Sequence, residues 1–339
     1  MLTIDGSYGE GGGQIVRTAV ALSVLTKTPI KIMNIRAKRP VPGLRPQHHT
    51  TVTCIQSMCG GTTSGLTVGS SSLEFTPGEI KPGSYTFDIG TAGSITLVFQ
   101  ACILSALKTT KPITLTLKGG TDVRWAPSWD YFANIFLPLL DKMGVHTEVQ
   151  LKQRGYYPTG GGEAQLTIHP SPTLQPFSVI EPPSVQEIHG LIHIANLPDH
   201  ISTRMKHAVM KIAVTHNLTA SIRVEPSVSS SPGTGITLWS SSPETILGAA
   251  ALGDKQVTAE QVGIQAIHQL LQELQHETTI DRYALDQLLP YLALTPAPSG
   301  CLIREISSHS QTTMWLLKQF FKKSFTITTQ PDNLKLTIH

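Results

Sequence analysis

Three segments of the chain share one order of apolar and polar positions. Each begins with a turn of small residues, continues with apolar residues at helical spacing, and ends in a strand whose apolar residues alternate. In the first segment Ile15, Ala19 and Leu22 carry the helical spacing. The segments are residues 11–35, 90–120 and 307–330. We interpret them as copies of one unit, in which the GEGGGQ turn of the first and the SSHSQTT turn of the third stand at related helix starts.

The first two copies continue into a second helix and two further strands. After the first copy, Thr50–Cys59 has a helical pattern, and SGLTVG and SLEFTP are typical of strands. After the second, Trp129–Met143 has a helical pattern, and HTEVQL and EAQLTIHP are typical of strands. The repeated order is strand–helix–strand–helix–strand–strand, or βαβαββ. It predicts an α/β protein of the α+β type, with three such units packed in one large domain.

A proline-rich stretch, HPSPTLQPFSVIEPP, marks a boundary near residues 170–184. The segment beyond it predicts four strands (EIHGLIHIA, ASIRVE, GITLWS, ILGAAAL) and helices over Ser202–His216 and Thr258–Gln275. Thr258 is expected to cap the second helix, because Gln261 completes a capping box. We therefore predict a small inserted α/β domain over residues 181–277. The large domain then comprises residues 1–180 and 278–339.

Composition narrows the class of protein. Of the 339 residues, 40% are hydrophobic and 14% are charged, and the net charge is +3, too low for a non-specific nucleic-acid coat. The four cysteines form no CxxC pair, which favours buried free thiols in a reducing compartment. Neither a signal peptide nor a membrane span is apparent. We expect a cytoplasmic protein with no membrane partner.

The GEGGGQIVR turn is the first candidate for chemistry, since Walker, HExxH and GxSxG motifs are absent. Glycines at a helix start let an anion reach backbone N–H groups, and Arg17 could add a charge-assisted bond to phosphate. Glu10 would repel that phosphate unless a divalent metal lay between them. The alternative is a tight turn whose glycines only supply positive φ. The turn alone does not decide between these two interpretations.

The segment IRAKRPVPGLRPQHHT, residues 35–50, is the densest cationic cluster in the chain and suits a terminal phosphate and an RNA backbone. A solvated surface loop is the alternative. The loops KGGTDVRWAPSWDYF and RGYYPTGGGEA contain aromatic residues that either stack on bases or pack internally, with packing favoured for Trp129. His309 stands at a helix start, where positive potential favours a neutral, nucleophilic imidazole. A capping or structural histidine is the alternative there.

Taken together, these motifs resemble the RNA 3′-terminal phosphate cyclase family. The resemblance covers essentially the whole chain in order, through DGSYGEGGGQIVR, IRAKRPVPGLRPQHHT, GTAGSITLVFQ, GGTDVRWAP, RGYYPTGGGE, DRYALDQLLPYLAL and HSQTT. It implies three repeated α/β units with an inserted domain, in agreement with the pattern above. It also implies that a histidine attacks ATP and carries AMP, that AMP passes to the RNA 3′-phosphate, and that the neighbouring 2′-OH closes a 2′,3′-cyclic phosphate.

The resemblance assigns roles to individual residues. It implies His309 as the nucleophile, Glu10 as a contact to a divalent metal (Mg or Mn), and RNA with a 3′-phosphate end as partner; it is compatible with a homodimer. The residues implied for ATP are Gln100, Pro127, Tyr283, Ala284, Leu285, Asp286, Gln287 and Glu10. Those implied for the RNA terminal phosphate are Arg17, Arg36, Arg39, Gln47 and His48. Alternatives are a core amide for Gln100, a helix N-cap for Asp286 and a snorkelling side chain for Arg17.

Two other functions compete with an RNA-end cyclase. One is a catalytically inactive RNA-binding or ribosome-assembly protein of the same fold; the presence of His309 argues against it, because that branch lacks the nucleophile. The other is a transferase on a small anionic substrate, since related repeated units occur in enolpyruvyl transferases. The Arg and Trp of GGTDVRWAP depart from the residues expected there and place the local contacts around Pro127 in doubt.

Overall fold

The computed structural model describes residues 1–339, which form four sheets of four strands each together with their packed helices. The first sheet has the order β1-β2-β4-β3, with β1 and β2 parallel and the other pairs antiparallel. The predicted strand SGLTVG is wrong: it forms a turn after β3, with Gly65 and Gly69 at φ +78 and +90. The elements of this unit are β1 Leu2–Asp5, α1 Gly13–Thr26, β2 Ile30–Met33, α2 Pro46–Cys59, β3 Thr62–Ser64 and β4 Leu73–Thr76.

The second unit repeats this topology, with strand order β5-β6-β8-β7 and a parallel β5–β6 pair. The helix predicted over Trp129–Met143 contains a π-helical segment, Phe132–Phe136, directly before Pro138, which has no N–H to donate. The elements are β5 Gly83–Asp88, α3 Ile95–Ala106, β6 Ile113–Gly119, α4 Trp129–Tyr131, α5 Leu137–Lys142, β7 Thr147–Gln153 and β8 Gly162–Ile168.

A fourth, separate sheet follows the short strand β9 Ser178–Val179. Its order is β11-β10-β12-β13, and two helices cover it with their own 16-residue hydrophobic core. All six elements predicted in this segment are present, including the Thr258–Gln261 capping box. The boundaries 181 and 277 stay a prediction. The elements are β10 Glu187–Ala195, α6 His200–Thr215, β11 Thr219–Pro226, β12 Gly233–Ser241, β13 Ile246–Leu252 and α7 Ala259–Gln275.

The third unit is split by this fourth sheet, because β9 precedes the sheet and the other elements follow it. Its sheet has the order β15-β16-β14-β9, with β9 and β14 parallel. The α/β class and the three-unit repeat are thus confirmed, but the prediction that SSHSQTT corresponds to GEGGGQ is wrong. The helix that begins at SSHSQTT is the second of its unit, after β14, whereas α1 is the first of its own. The elements are α8 Arg282–Leu292, β14 Ser299–Ile303, α9 Ser308–Phe320, β15 Phe325–Thr329 and β16 Leu334–Ile338.

One core of 64 buried residues joins the three units. Within it α1 packs against α2, α3 and α9, and α8 packs against α3 and α9. The four cysteines are free and buried, as expected. None of the helices combines the length and the apolar character that crossing a bilayer requires. The packing of α1 against α9 brings together two helix starts nearly 300 residues apart in sequence.

Candidate functional site

The glycine turn before α1 lies against the first turn of α9. Gly9 and Gly11 both have φ +56, a conformation that other residues rarely adopt. A Cβ on Gly9 would overlap the Thr312 hydroxyl of α9. The glycines therefore serve both purposes considered from the sequence, since they supply positive φ and also permit close approach. What approaches them within this chain is α9 with its histidine.

Glu10 and His309 are in direct contact. His309 Nδ1 lies 3.0 Å from Glu10 Oε2, and Arg39 reaches the same oxygen at 3.1 Å. The Ser308 hydroxyl donates to Glu10 Oε1. Partial burial tends to raise the pKa of Glu10, but the hydrogen bonds from Ser308 and His309 and the charge of Arg39 outweigh it and hold that pKa below its ordinary value. Glu10 is therefore a carboxylate whose charge is balanced by its neighbours.

This contact fixes which nitrogen of His309 is available. A carboxylate can only accept, so Nδ1 carries the proton and donates it to Glu10, and Nε2 keeps its lone pair. No hydrogen bond occupies Nε2, and the side chain is 46% exposed. The His309 carbonyl accepts from Gln14 Nε2 at 3.2 Å and from the Thr313 hydroxyl at 3.0 Å, which ties the start of α9 to α1. The arrangement presents an oriented imidazole, with its Nε2 unpartnered, to solvent.

Asp286 holds the start of α9 from the other side. The hydroxyls of Ser307, the N-cap of α9, and of Ser310 both donate to its Oδ1, the second at 2.6 Å. Burial raises the pKa of Asp286, although these hydroxyls and the nearby His309 favour its charged form. Asp286 is not a helix N-cap, because α8 begins at Arg282, one turn earlier. That cap is Asp281, which sequence reasoning did not single out.

Asp281 joins three parts of the molecule. Its Oδ1 accepts from the backbone N–H groups of Tyr283 and Ala284, both at 3.0 Å, and from the Tyr131 hydroxyl at 2.6 Å. Its Oδ2 accepts from the N–H of Gly248, in β13 of the fourth sheet, at 3.0 Å. Burial, together with the charge of Glu273, raises the pKa of Asp281 to about 7. The residue therefore anchors α8 to both the second unit and the fourth sheet.

The residues assigned to ATP divide into two groups. Gln100 Nε2 donates to Gln287 Oε1, and Gln287 Nε2 donates to the Tyr283 carbonyl at 2.6 Å, so α3 and α8 are linked beside the nucleophile. Tyr283 is exposed. Ala284 and Leu285, by contrast, are fully buried in the main core, so their side chains cannot contact a ligand.

Pro127 is the remaining residue assigned to ATP. Its carbonyl accepts from the hydroxyl of Thr96 in α3 at 2.9 Å. Thr96 lies one helical turn before Gln100, so Pro127 contacts α3 close to that glutamine. Its side chain is half-buried.

The cationic cluster forms a pocket around the start of α1. His48 Nδ1 accepts from the Arg45 N–H at 3.1 Å, so Nε2 carries the proton, and it faces Gly13, where a Cβ would overlap the ring. Burial and the charges of Arg17, Arg36 and Arg45 lower the pKa of His48 to about 3. This imidazole is therefore a neutral donor packed against Gly13, at the first turn of α1.

The other members of the pocket differ in whether their side-chain donors already have partners. Arg17 makes no ion pair, and burial lowers its pKa to about 10. Gln47 Oε1 accepts from the Ser94 N–H at 3.2 Å, while its Nε2 is buried without a partner. Arg36 donates to the carbonyls of its own loop at 2.6 and 3.2 Å, and Arg39 pairs with Glu10. Arg17, Gln47 and His48 thus retain donors for an anion, and Arg36 and Arg39 are already partly engaged.

Several contacting residues were not predicted from the sequence. Gln14, Ser307, Ser308 and Ser310 position His309, Glu10 or Asp286, although all four lie inside motifs that the sequence analysis quoted. The rings of Tyr8, on the glycine turn, and Trp315, on α9, stack with centroids 3.9 Å apart. Because residue type alone does not distinguish such supports from surface serines or packed aromatics, only the contacts reveal them.

Comparison with known proteins gives one family. The family model described as RNA 3′-terminal phosphate cyclase matches residues 8–327. A protein of that name from Nitrosospira multiformis is 41% identical over 339 residues, covering 99% of this chain and 96% of the relative. Those from Pyrococcus furiosus and Methanosarcina mazei are 40% and 42% identical, covering 96% of this chain and 95% and 97% of their own lengths. The chain belongs to the RNA 3′-terminal phosphate cyclase family.

Proposed function

We propose that this protein uses ATP to convert an RNA 3′-terminal phosphate into a 2′,3′-cyclic phosphate, with His309 as the nucleophile. The observation that carries the proposal is the Glu10–His309 contact, at 3.0 Å, which leaves Nε2 of an accessible imidazole free. The name shared by relatives about 40% identical over nearly the whole chain supports the substrate and the reaction. A catalytically inactive assembly protein would have no need of an oriented, solvent-facing imidazole.

In the first step His309 Nε2 attacks the α-phosphorus of ATP. A P–N bond forms, the bond from that phosphorus to the bridging oxygen breaks, and pyrophosphate leaves. Glu10 accepts a hydrogen bond from Nδ1–H and stabilises the positive charge that develops on the ring, as a carboxylate does behind a catalytic histidine. Asp286 and Gln14 hold the helix start that carries the imidazole, which limits its motion relative to the nucleotide.

We place the adenosine part of ATP between Pro127 and the exposed Tyr283, beside the Gln100–Gln287 pair, and Asp286 borders the same region. Glu10 fits a divalent metal, because Mg²⁺ in nucleotide sites is commonly held by one or two carboxylates together with substrate phosphates. Its carboxylate is about one-third exposed and already bears a lowered pKa. Mg²⁺ or Mn²⁺ bound there would supply positive charge against the triphosphate.

In the second and third steps the RNA 3′-phosphate occupies the pocket at the start of α1. Arg17, Gln47 and His48 offer free donors, and the N–H groups of the helix start add to them. An oxygen of the 3′-phosphate attacks the phosphorus of the His309 adduct, the P–N bond breaks and an adenylated RNA end results. The neighbouring 2′-OH then attacks the RNA phosphorus, and AMP leaves with the bridging oxygen. Proximity makes this ring closure fast.

The test follows an RNA labelled at its 3′-phosphate, incubated with ATP, a divalent metal and protein. We expect the label to become resistant to phosphatase with wild type and with His216→Ala, an exposed histidine control, and to stay sensitive with His309→Ala. A matched RNA with a terminal 2′-deoxy sugar should accumulate as the adenylated end, since ring closure needs the 2′-OH. If wild type binds RNA but leaves the 3′-phosphate sensitive, the inactive assembly protein is the better account.

A further inference from the structure

A second cluster of charged side chains lies buried between the second unit and the fourth sheet, away from Glu10 and His309. Asp122 lies within the GGTDVRWAP segment and Asp130 just after it, Arg154 opens the RGYYPTGGGEA segment, and His193 comes from β10 of the fourth sheet. The proposed cyclase chemistry uses none of these four residues. The side chains of Asp122 and His193 are 0% exposed. Buried charges of this kind require partners.

Arg154 satisfies only one side of the cluster. Its Nη1 lies 3.1 Å from Asp122 Oδ2 and its Nη2 lies 2.9 Å from Asp130 Oδ1. Each aspartate thus directs one oxygen to the guanidinium and the other towards His193. His193 Nε2 lies 3.5 Å from Asp122 Oδ1 and 4.0 Å from Asp130 Oδ2. Asp122 Oδ1 has one hydrogen bond, from the Trp129 N–H at 3.1 Å, whereas Asp130 Oδ2 and His193 Nε2 have none.

A carboxylate oxygen and an imidazole nitrogen that are buried without partners are the atoms a metal cation would bind. If His193 Nε2 carries a proton, both carboxylate oxygens lie farther from it than the usual N–H···O distance of about 2.7–3.2 Å. If it does not, its lone pair faces carboxylate oxygens. Its Nδ1 lies 2.7 Å from the Tyr156 hydroxyl, which fixes the ring. A neutral imidazole is the form that ligates metals.

The charge count points the same way. Arg154 Nη2 also lies 3.5 Å from a carboxylate oxygen of Glu225, which is half-exposed. Three carboxylates (Asp122, Asp130 and Glu225) surround one guanidinium and leave two negative charges unbalanced. A divalent cation would balance the cluster.

We propose that Asp122 Oδ1, Asp130 Oδ2 and His193 Nε2 bind a divalent transition metal, with Zn²⁺ the best fit. The three atoms lie within 4.8 Å of one another. Zinc–ligand bonds of about 2.0–2.2 Å in a tetrahedral site separate the ligand atoms by about 3.4 Å, close to the shorter distance observed. One imidazole with two carboxylates suits zinc better than magnesium. Tyr156 is the outer partner that ligating histidines usually have.

The proposed metal would be structural, not part of the AMP-transfer chemistry. Two of its ligands belong to the second unit and the third belongs to β10, so the ion would fasten the fourth sheet to the large core. This site is independent of the metal proposed at Glu10, which needs nucleotide phosphates to complete its coordination. The two sites can therefore be distinguished by binding Zn²⁺ in the absence of ATP.

The test measures metal in the full-length protein without nucleotide. Apo protein prepared with a chelator is incubated with Zn²⁺ alone, desalted and assayed by mass spectrometry for bound zinc. We expect one tightly held zinc per chain in wild type and in Glu10→Gln, and loss of most of it in Asp130→Asn and His193→Gln. Tyr156→Phe should weaken binding about 10–100-fold, the usual effect of removing an outer partner. Cobalt in the same site should give the intense visible bands of tetrahedral coordination.

Thermal unfolding provides a second measure that does not rely on the ligand variants folding well. Zinc should raise the unfolding midpoint of the wild-type apo protein and leave that of Asp130→Asn unchanged. The proposal is overturned if wild type retains no stoichiometric zinc and its midpoint does not move. It is equally overturned if Asp130→Asn binds zinc as wild type does. A buried water or a proton on Asp130 would then fill the gap between the three atoms.

Discussion

Replacing Asp281 tests whether one buried carboxylate holds α8 in register with the rest of the molecule. Asp281→Ala removes an acceptor shared by Tyr131, Gly248 and the first N–H groups of α8. Loss of an N-cap costs about 1 kcal/mol. Each buried donor left without an acceptor costs about 1–3 kcal/mol more. Two such donors, the Tyr131 hydroxyl and the Gly248 N–H, together with the lost cap give an expected destabilisation of roughly 3–7 kcal/mol.

Asp281→Asn should destabilise the fold less than Asp281→Ala, because the amide oxygen can still cap α8. Only the Gly248 N–H would lose its acceptor, since the amide NH₂ that replaces Oδ2 is itself a donor. We expect roughly 1–3 kcal/mol for this variant. Thr258→Ala is the matched control. Thr258 also caps a long helix, accepting from the Gln261 N–H at 3.2 Å, but it is exposed and joins no other element. Its loss should cost about 1 kcal/mol.

The pH dependence gives a second readout for the same residue. The folded pKa of Asp281, about 7, lies above the ordinary value of an aspartate, so the folded state keeps a proton that the unfolded state has lost. The contribution of this group to the free energy of unfolding is therefore largest below about pH 4 and decreases as the pH rises to about 7. Asp281→Asn removes the titration. The stability of wild type relative to Asp281→Asn should fall between pH 5 and pH 7.

Urea unfolding, followed by tryptophan fluorescence and by circular dichroism, measures these differences for wild type and the three variants. The account predicts the order Ala, Asn, then the Thr258 control, from largest to smallest loss. It also predicts weaker ATP binding by Asp281→Ala, since Tyr283 and Gln287 stand on α8. The reasoning is refuted if Asp281→Ala costs no more than Thr258→Ala, or if the wild-type-to-Asn difference does not change with pH.

Three further predictions concern the site. Asp286→Ala should slow AMP transfer to His309 by about 1–3 kcal/mol of activation free energy, because two hydroxyls at the helix start lose their acceptor; a burst of pyrophosphate as fast as in wild type would contradict this. Gly13→Ala should displace the His48 ring and weaken binding of a 3′-phosphate RNA by about 1.5–3 kcal/mol, measured against the same RNA with a 3′-hydroxyl. Trp125→Ala, at a side chain 96% exposed, should leave stability unchanged within about 0.5 kcal/mol. If this ring stacks on a base, RNA affinity should fall by about 1–3 kcal/mol while adduct formation from ATP is unaffected.

The hydrophobic pattern predicted the units whose elements are long and regular. Helical spacing located α1 and α3, and the capping box located α7, because local sequence decides these features. The pattern missed β9, which has two residues, and it took the second helix of the third unit for the first. The true first helix, α8, contains Pro290 and is separated from β9 by the whole fourth sheet. Local periodicity shows neither that α8 tolerates a proline nor that β9 and α8, on either side of the predicted insert, belong to one unit.

The site was predictable only in part for a different reason. Glu10 and His309 are 299 residues apart, so no spacing rule places them together; the family resemblance gave each a role but did not predict their contact. Ala284 and Leu285 were assigned to ATP as members of a motif, but the helical phase of α8 turns both into the core. The cluster around Arg154 gave no sequence signal. Its members come from two units and from separate loops and strands, and only the folded chain brings them into contact.

The most direct test of the central claim is the covalent adduct itself. Protein is incubated with α-labelled ATP and a divalent metal, quenched in denaturant and separated from free nucleotide, for wild type, His309→Ala and Glu10→Gln. The account predicts a protein–AMP adduct in wild type that is stable to alkali and labile to acid, greatly reduced in Glu10→Gln and absent in His309→Ala. An adduct that persists unchanged in His309→Ala, or its absence from wild type that still binds ATP, would contradict the assignment of His309 as the nucleophile.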